Sequence, residues 1–397
     1  MKFILKKLNL NRDLNFLYLS FFFFSCSFGI NNVIFPTNFK IHGAGPALIG
    51  TATAFETLSA IITAFFLSKI IARFHLIKTL LFSTIFYSLT TILLFFYVSF
   101  WLWIMMFLVI GSCYFIYMIS RISWLNILLK NQNRGVGSGL FSMIVSFGNA
   151  SGPVIVKLLG ANNIYSFIAS AILTIGSFCC LLTLKKLPPK IANPTRISLG
   201  HFFKKNPQCF LERFFMDFQA YTLKGFTVIY GVSLGYSYEN AGLLITAYYA
   251  SGFFDLVVGF LLKKNKPNNL INIGFAGCLM LFISLIFFHH NYWFVVLIYF
   301  ILGAFIACIF VAVYKMMNED YSKDLLISAG ATFQLIGTLG AICGSIFGGL
   351  MGEFFGIKYF PVIIAVPCTI YLGNILFYEK KYGLKKSKSP KNAKTIN

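Results

Sequence analysis

Apolar residues run along this chain in blocks of about twenty, separated by short joints that collect its polar and charged residues. A helix needs roughly 20 apolar residues to cross the hydrocarbon of a bilayer. Twelve blocks meet that requirement, near 15–37, 46–68, 78–98, 102–128, 138–160, 164–184, 210–232, 241–262, 270–288, 293–314, 327–351 and 358–378. The ten-residue alternating strands of a membrane barrel do not occur. The fold class predicted is an all-α polytopic membrane protein with 12 transmembrane helices. One joint is long: 185–209 holds Pro188, Pro189, Pro194 and Pro207, which argue against a continuous helix there. It separates an N-terminal six-helix half, 1–184, from a C-terminal six-helix half, 210–378, and a tail follows over 379–397. The other joints leave no room for a soluble catalytic domain.

The two halves carry a faint repeat. Gly148, Gly152 and Gly160 stand 192 residues before Gly340, Gly344 and Gly352, and Phe141 stands likewise before Phe333. Residues 45–69 align without gaps on 240–264, pairing Leu48 with Leu243, Thr51 with Thr246 and Phe65 with Phe260. Single matches mean little. A near-constant offset close to half the chain length is what an internal duplication leaves. A hydrophobic chain of two parallel halves is the layout of a membrane carrier with its site between them.

Composition and charge narrow the class. At 58% hydrophobic and 11% charged, these 397 residues cannot cover a water-facing surface. With both termini and every second joint in the cytoplasm, 26 of the 33 Lys and Arg lie inside; only Lys40 and Lys358 lie outside. That is the positive-inside bias, and it accounts for the net charge of +22 without nucleic acid. The basic tail reads as a topology determinant, or as a contact to anionic lipid heads. Lys2, Lys6 and Lys7 imitate the start of a signal peptide. The apolar run continues past Cys26 with no small-residue cleavage site, so it is kept as the first helix. The nine Cys show no C-x-x-C spacing, and adjacent His289 and His290 do not face one another on a helix. No cofactor, metal site or nucleophile–base set is expected, and the chain is not read as an enzyme. Its richness in Phe, Ile, Lys and Asn points to AT-rich bacterial coding and hence to a bacterial inner membrane.

Twelve blocks, a basic central joint and a 6+6 repeat resemble the major facilitator superfamily over nearly the whole chain. The most specific point is Gly148-x-x-x-Gly152-Pro153 in the fifth block, similar to the glycine–proline motif of that family's antiporters. Glycines four apart let helices touch, and a proline frees a carbonyl, so two rigid halves can rock about a bent seam. Ordinary small-residue packing is the alternative. The motif's closing glycine pair is Val156-Lys157 here, whereas the eleventh block has Gly348-Gly349. In the family, the loop after the second helix carries an acid that helps gate the cytoplasmic side. Residues 68–78 have Lys69, Arg73 and Lys78 but no Asp or Glu. Met106 stands where the family has an intramembrane Arg, so that proton-coupling role is not carried over. The resemblance implies alternating access around a cavity lined by helices one, four, seven and ten.

Ionisable residues at membrane depth are costly, so each is a functional candidate. A rise of ~1.5 Å per residue puts Glu56 near mid-membrane in the second block. Asp255 in the eighth aligns with Ala60, one turn from Glu56, so both acids are predicted to face a shared cavity. The seventh block carries Arg213, Asp217, Tyr221 and Lys224 on one face. Asp217 pairs with Arg213 one turn away in this reading, and Lys224 needs Asp255, Glu56 or an anionic substrate. Glu56, Asp255 and Asp217 are the proton-coupling candidates; Asn31, Asn32, Arg121, Tyr221 and Lys224 are the cavity candidates. Each has a structural reading beside it. The carboxylates can be tied to neighbouring helices, Arg121 can snorkel at an inner edge marked by Trp124, and Asn31 and Asn32 can bond between helices. The hinge candidates are Gly148, Gly152, Pro153, Gly340, Gly344, Gly348 and Gly349.

The function expected is that of a secondary carrier, acting as a monomer, that exports a small organic solute by proton antiport. The surplus of cations within the blocks hints at an anionic solute. Proton-coupled uptake of a nutrient or iron-chelating metabolite is the alternative. A third reading is a non-transporting scaffold or sensor that kept the carrier fold, favoured by the missing gating acid.

Overall fold

A computed structural model describes residues 12–96, 99–129, 134–185, 198–321 and 323–382. The described chain is built from α1 (Arg12–Ile41), α2 (Pro46–Phe74), α3 (Leu76–Phe96), α4 (Phe100–Leu128), α5 (Arg134–Leu159) and α6 (Ile164–Leu182). After the central joint come α7 (Leu199–Lys205), α8 (Pro207–Ser233), α9 (Tyr238–Ala250), α10 (Phe254–Leu261), α11 (Pro267–Phe288), α12 (Tyr292–Asp320), α13 (Lys323–Phe355) and α14 (Phe360–Tyr382). Among the described residues, 11 stretches are long and apolar enough to cross a bilayer, with α9 and α10 counted together. The one other long helix, α8, has 27 residues but carries Glu212, Arg213, Asp217 and Lys224. The predicted seventh span therefore falls outside that set on its polar composition, not on length.

Polar caps and glycines end the helices. Asn163, Ser198, Asn206, Ser237 and Asn291 each accept a hydrogen bond from a backbone N–H of the following first turn. Pro207 sits in the first turn of α8, where a missing N–H leaves nothing unsatisfied. It starts a helix instead of only breaking one, so α8 begins three residues before the predicted block. Gly43 and Gly235, one repeat apart, hold φ of 81° and 91° just beyond α1 and α8, a conformation that favours glycine. The eighth block is not one helix: a 3-10 turn, Ser251–Phe253, separates α9 from α10.

Packing gathers the helices into two groups. In the first, α1 lies against α5 and α6; in the second, α8 lies against α13 and α14. The glycine ladder makes these approaches possible. A Cβ on Gly148 would strike Ser25 and the Phe22 carbonyl of α1, and one on Gly152 would strike the backbone of Gly29 and Ile30. One on Gly340 or Gly344 would meet the Phe214 or Phe218 carbonyl of α8. Gly111 closes on the Glu56 carbonyl of α2, and its repeat mate Gly303 on the Tyr248 carbonyl of α9. So Gly148 and Gly152 seat α5 on α1 inside the first group, and α5 runs unbroken through Pro153. Gly348 packs on Thr222 and Phe226 of α8, while Gly349 reaches across the seam to Pro46 and Gly50 of α2. The seam is formed by α2 with α13, α5 with α9, and α1 with α8. Of the tryptophans read as interface markers, Trp101 is 71% exposed, but Trp103 and Trp124 are buried at 3% and 1%. Trp103 turns inward to pack edge-on against Phe39, with 4.2 Å between ring centroids.

Candidate functional site

Helix α1 carries polar residues through an otherwise apolar run, and they divide between two faces. Ser27 shares hydrogen bonds with Ser170 (2.8 Å) and Thr174 (2.9 Å) of α6. Ser170 donates to Asn31 Oδ1 (2.7 Å), and Asn31 Nδ2 donates to the Tyr87 hydroxyl of α3 (2.8 Å). Both ends of the Asn31 amide thus knit the first group together. Asn32 lies about 100° further round the helix. It borders two cavities, and its Nδ2 makes no close hydrogen bond, with the Tyr249 hydroxyl as its polar neighbour.

Glu56 of α2 and Lys224 of α8 meet across the seam. Lys224 Nζ donates to both carboxylate oxygens at 3.0 Å. Their side chains are 10% and 13% exposed. The ammonium also lies 4.6 Å from the Phe28 ring centroid and 5.3 Å from that of Tyr221, where aromatic faces favour a cation. The pair forms part of the wall of a cavity of about 400 Å³ with its open mouth counted, with Asn31, Asn32, Thr53 and Tyr87 on the same wall. A second cavity, about 300 Å³ with its open mouth counted, shares Asn32 and Lys224 with the first and is lined by Thr227, Tyr248, Tyr249 and Tyr299. Tyr221 borders neither cavity but turns its ring to Lys224.

The remaining candidates lie elsewhere. Arg213 and Asp217 pair at 2.7 Å. Arg213 also donates to Gln334 Oε1 (2.7 Å) and the Phe333 carbonyl (3.3 Å) of α13. Gly337 leaves room for them, since a Cβ there would strike both side chains. This cluster ties α8 to α13 within the second group and borders neither cavity. Asp255 accepts from the Ser142 hydroxyl of α5, another contact across the seam, and also borders neither cavity. The two acids are not brought to one cavity. Ser251, the repeat mate of Glu56, starts the 3-10 turn, and Asp255 lies beyond it.

Arg121 is a correction to the sequence reading. It neither borders the two cavities nor snorkels; it is fully buried. Its Nη1 donates to the Ser20 carbonyl (3.1 Å) and Ser177 Oγ (3.4 Å), and its Nε to the Tyr117 carbonyl (3.2 Å). The guanidinium lies 4.1 Å from the Phe24 ring centroid and 4.6 Å from that of Tyr117. It forms no ion pair among the described residues. Position along α4 placed it near an edge, but its helix face turns it to α1. Sequence reasoning missed Glu212, which is fully buried and accepts from Gln208 (2.9 Å) and Tyr371 (3.0 Å). The available signal was Gln208 one turn ahead of it, hidden because the block was started at 210.

Two helix groups with cavities and an ion pair at their seam define a polytopic membrane transporter. The chain belongs to the major facilitator superfamily, whose family model matches residues 17–323 and, a second time, 213–396. It is similar to YfkF, an uncharacterized MFS-type transporter of Bacillus subtilis (strain 168), with 24% identity over 294 residues that cover 72% of this chain and 74% of that one. In fold it resembles a variant of the nucleoside transporter NupG (TM-score 0.78, 16% identity, 92% of this chain and 99% of that one). It also resembles a bacterial homolog of the human lysosomal transporter Spinster in an inward-facing, occupied conformation (TM-score 0.71, 16% identity, 95% and 98%). At that identity the two likenesses concern the fold alone.

Proposed function

We propose that this protein is a proton-coupled secondary carrier of a small organic solute in a bacterial inner membrane. The two groups rock about their seam, and Glu56 with Lys224 forms the coupling pair. The ion pair itself carries this reading, because its members come from different groups. A proton on Glu56, or a solute charge on Lys224, removes an attraction that spans the seam. Breaking a largely desolvated pair is worth about 3–5 kcal/mol, close to the ~5.5 kcal/mol that reverses a two-state population. Twelve spans with α8 among them, cytoplasmic termini and monomeric action belong to the same proposal. They rest on helix length and on the distribution of Lys and Arg. The glycines of α5 pack it on α1 within one group, which is ordinary close packing. They therefore give no ground for preferring export over uptake.

The test compares metabolites in the medium and in the cytoplasm, with and without the protein, at two external pH values. At least one organic solute is expected to redistribute, and Glu56→Gln is expected to uncouple that redistribution from the pH gradient. A metabolome unchanged under every condition would refute the carrier and leave a non-transporting membrane protein.

A further inference from the structure

The smaller cavity lies between α1, α8, α9 and α12. Resting on the carrier reading above, we infer that it seats the acidic group of a small organic anion on Lys224, and that the anion travels together with one proton carried by Glu56. The polar groups on its wall are the Lys224 ammonium, the Asn32 amide and the hydroxyls of Thr227, Tyr248, Tyr249 and Tyr299. All of them can donate a hydrogen bond, and no carboxylate borders the cavity. Two of these groups make no close hydrogen bond: Asn32 Nδ2 and Tyr299 Oη are buried, with only the Tyr249 and Thr227 hydroxyls as polar neighbours. Buried polar groups are nearly always satisfied. Two orphans on one cavity wall beside an ammonium call for an acceptor that a bound molecule supplies. A carboxylate answers all three, with charge for Lys224 and lone pairs for Asn32 and Tyr299. A cation would meet an ammonium and no acid. Ala220, Leu223 and Ile245, with the tyrosine rings, suit an apolar or aromatic body.

The coupling follows from charge balance. Lys224 has three N–H donors, and Glu56 occupies it through both carboxylate oxygens. An arriving carboxylate competes for the same ammonium, and one cation cannot neutralise two desolvated acids. The titratable groups around Glu56 are Lys224 and Tyr221 on α8, Tyr87 on α3, Tyr114 on α4 and Tyr249 on α9. None of the tyrosines brings a second positive charge, so a proton must bind. The solute keeps Asn32 and Tyr299 as donors, whereas Glu56 loses its only cation, so the proton goes to Glu56. Monoanion and proton then move together with no net charge. A cationic solute would compete with Lys224 for Glu56 and give antiport instead.

The experiment uses the purified full-length chain in detergent and a probe set of acetate, pyruvate, lactate and benzoate, each with its amide and the corresponding amine. Thermal unfolding reads binding, and a pH indicator in weak buffer reads protons. Carboxylates are expected to raise the melting temperature where amides and amines do not, with uptake of about one proton per bound anion and none in Glu56→Gln. Tyr299→Phe removes a hydroxyl that makes no close hydrogen bond, so the empty protein should melt little or no lower while carboxylate affinity falls roughly tenfold. The double variant Lys224→Gln/Glu56→Gln keeps the wall neutral and should lose the carboxylate effect. Stabilisation by amines, proton release on binding, or carboxylate binding that survives in the double variant would each overturn the inference. So would a probe set in which no carboxylate acts. The carrier reading stands or falls separately, on the redistribution of metabolites.

Discussion

At Lys224 and Glu56 the side chains depend on each other. Removing one partner leaves an isolated charge in low dielectric, which costs about 3–5 kcal/mol, while replacing both is close to neutral. Lys224→Gln and Glu56→Gln are each expected to lower the melting temperature in detergent, and the double variant should recover most of the loss. Additive losses would show that the two groups are not coupled. Arg121 is the contrasting case, a buried cation with hydrogen bonds and aromatic rings but no carboxylate. Ser177 also donates to the Ser20 carbonyl (2.8 Å), so removing the guanidinium orphans no acceptor there. Arg121→Met should therefore melt no lower than the wild type. A clear drop would mean that its contacts with Phe24 and Tyr117 outweigh the burial of its charge. Depth and helix face made the need of Lys224 for a partner legible in the sequence and put Glu56 among three choices. The choice itself was not legible, because it depends on how two helices 168 residues apart are set across the seam. Arg121 was misread for a related reason: distance along α4 was counted while the direction of its side chain was not.

Glycine spacing did more than any other local signal to reveal how the helices pair. Its period and offset pointed to duplicated contacts, and α5 on α1 and α13 on α8 are such contacts. What the spacing left open was which neighbour each glycine faced, since a Gly stripe fits any helix that comes close. Gly152→Ala and Gly344→Ala would force a methyl into the backbone of Gly29 or the Phe218 carbonyl, neither of which is a flexible side-chain end. Each is expected to destabilise by about 1–3 kcal/mol, read as loss of folded protein on heating. Gly259→Ala and Gly373→Ala meet nothing within 4 Å and should be neutral or slightly stabilising. Similar losses at all four positions would mean that close approach does not distinguish Gly152 and Gly344 from the open sites. The break at Ser251–Phe253 shows the limit of such reading. No proline marks it, and the matching approach of Gly111 to the Glu56 carbonyl leaves α2 unbroken.

On the scale of the whole molecule, the ends with few Lys and Arg are held by acids. Glu353 of α13 accepts from the Ala47 N–H at the start of α2 (3.2 Å), and Glu239 of α9 accepts from the Ala161 N–H just beyond α5 (3.1 Å). Each clasp runs from the second helix group to the first, at one end of each seam. Both are backed by close packing: Gly349 against Gly50 on one side, and Thr246 donating to the Ala150 carbonyl (2.8 Å) on the other. An anion at a helix N-terminus is favoured by the backbone dipole as well as by the hydrogen bond. No acid occurs in the loop 68–78, where the family carries its gating acid, and the clasps sit at the opposite end. In the orientation proposed from the distribution of Lys and Arg, that end would face outward and the clasps would hold the outside closed. Glu353→Ala and Glu239→Ala together should then favour opening to the outside. Phe39→Cys, placed in a chain freed of its native cysteines, reports on this because Phe39 lies buried on the wall of the larger cavity. A membrane-impermeant maleimide added outside is expected to label it roughly tenfold faster once both acids are gone, the scale of removing one or two charge-assisted bonds. An unchanged rate would mean that the glycine contacts alone keep the seam shut, and faster labelling only from the cytoplasmic side would reverse the orientation assigned to the chain.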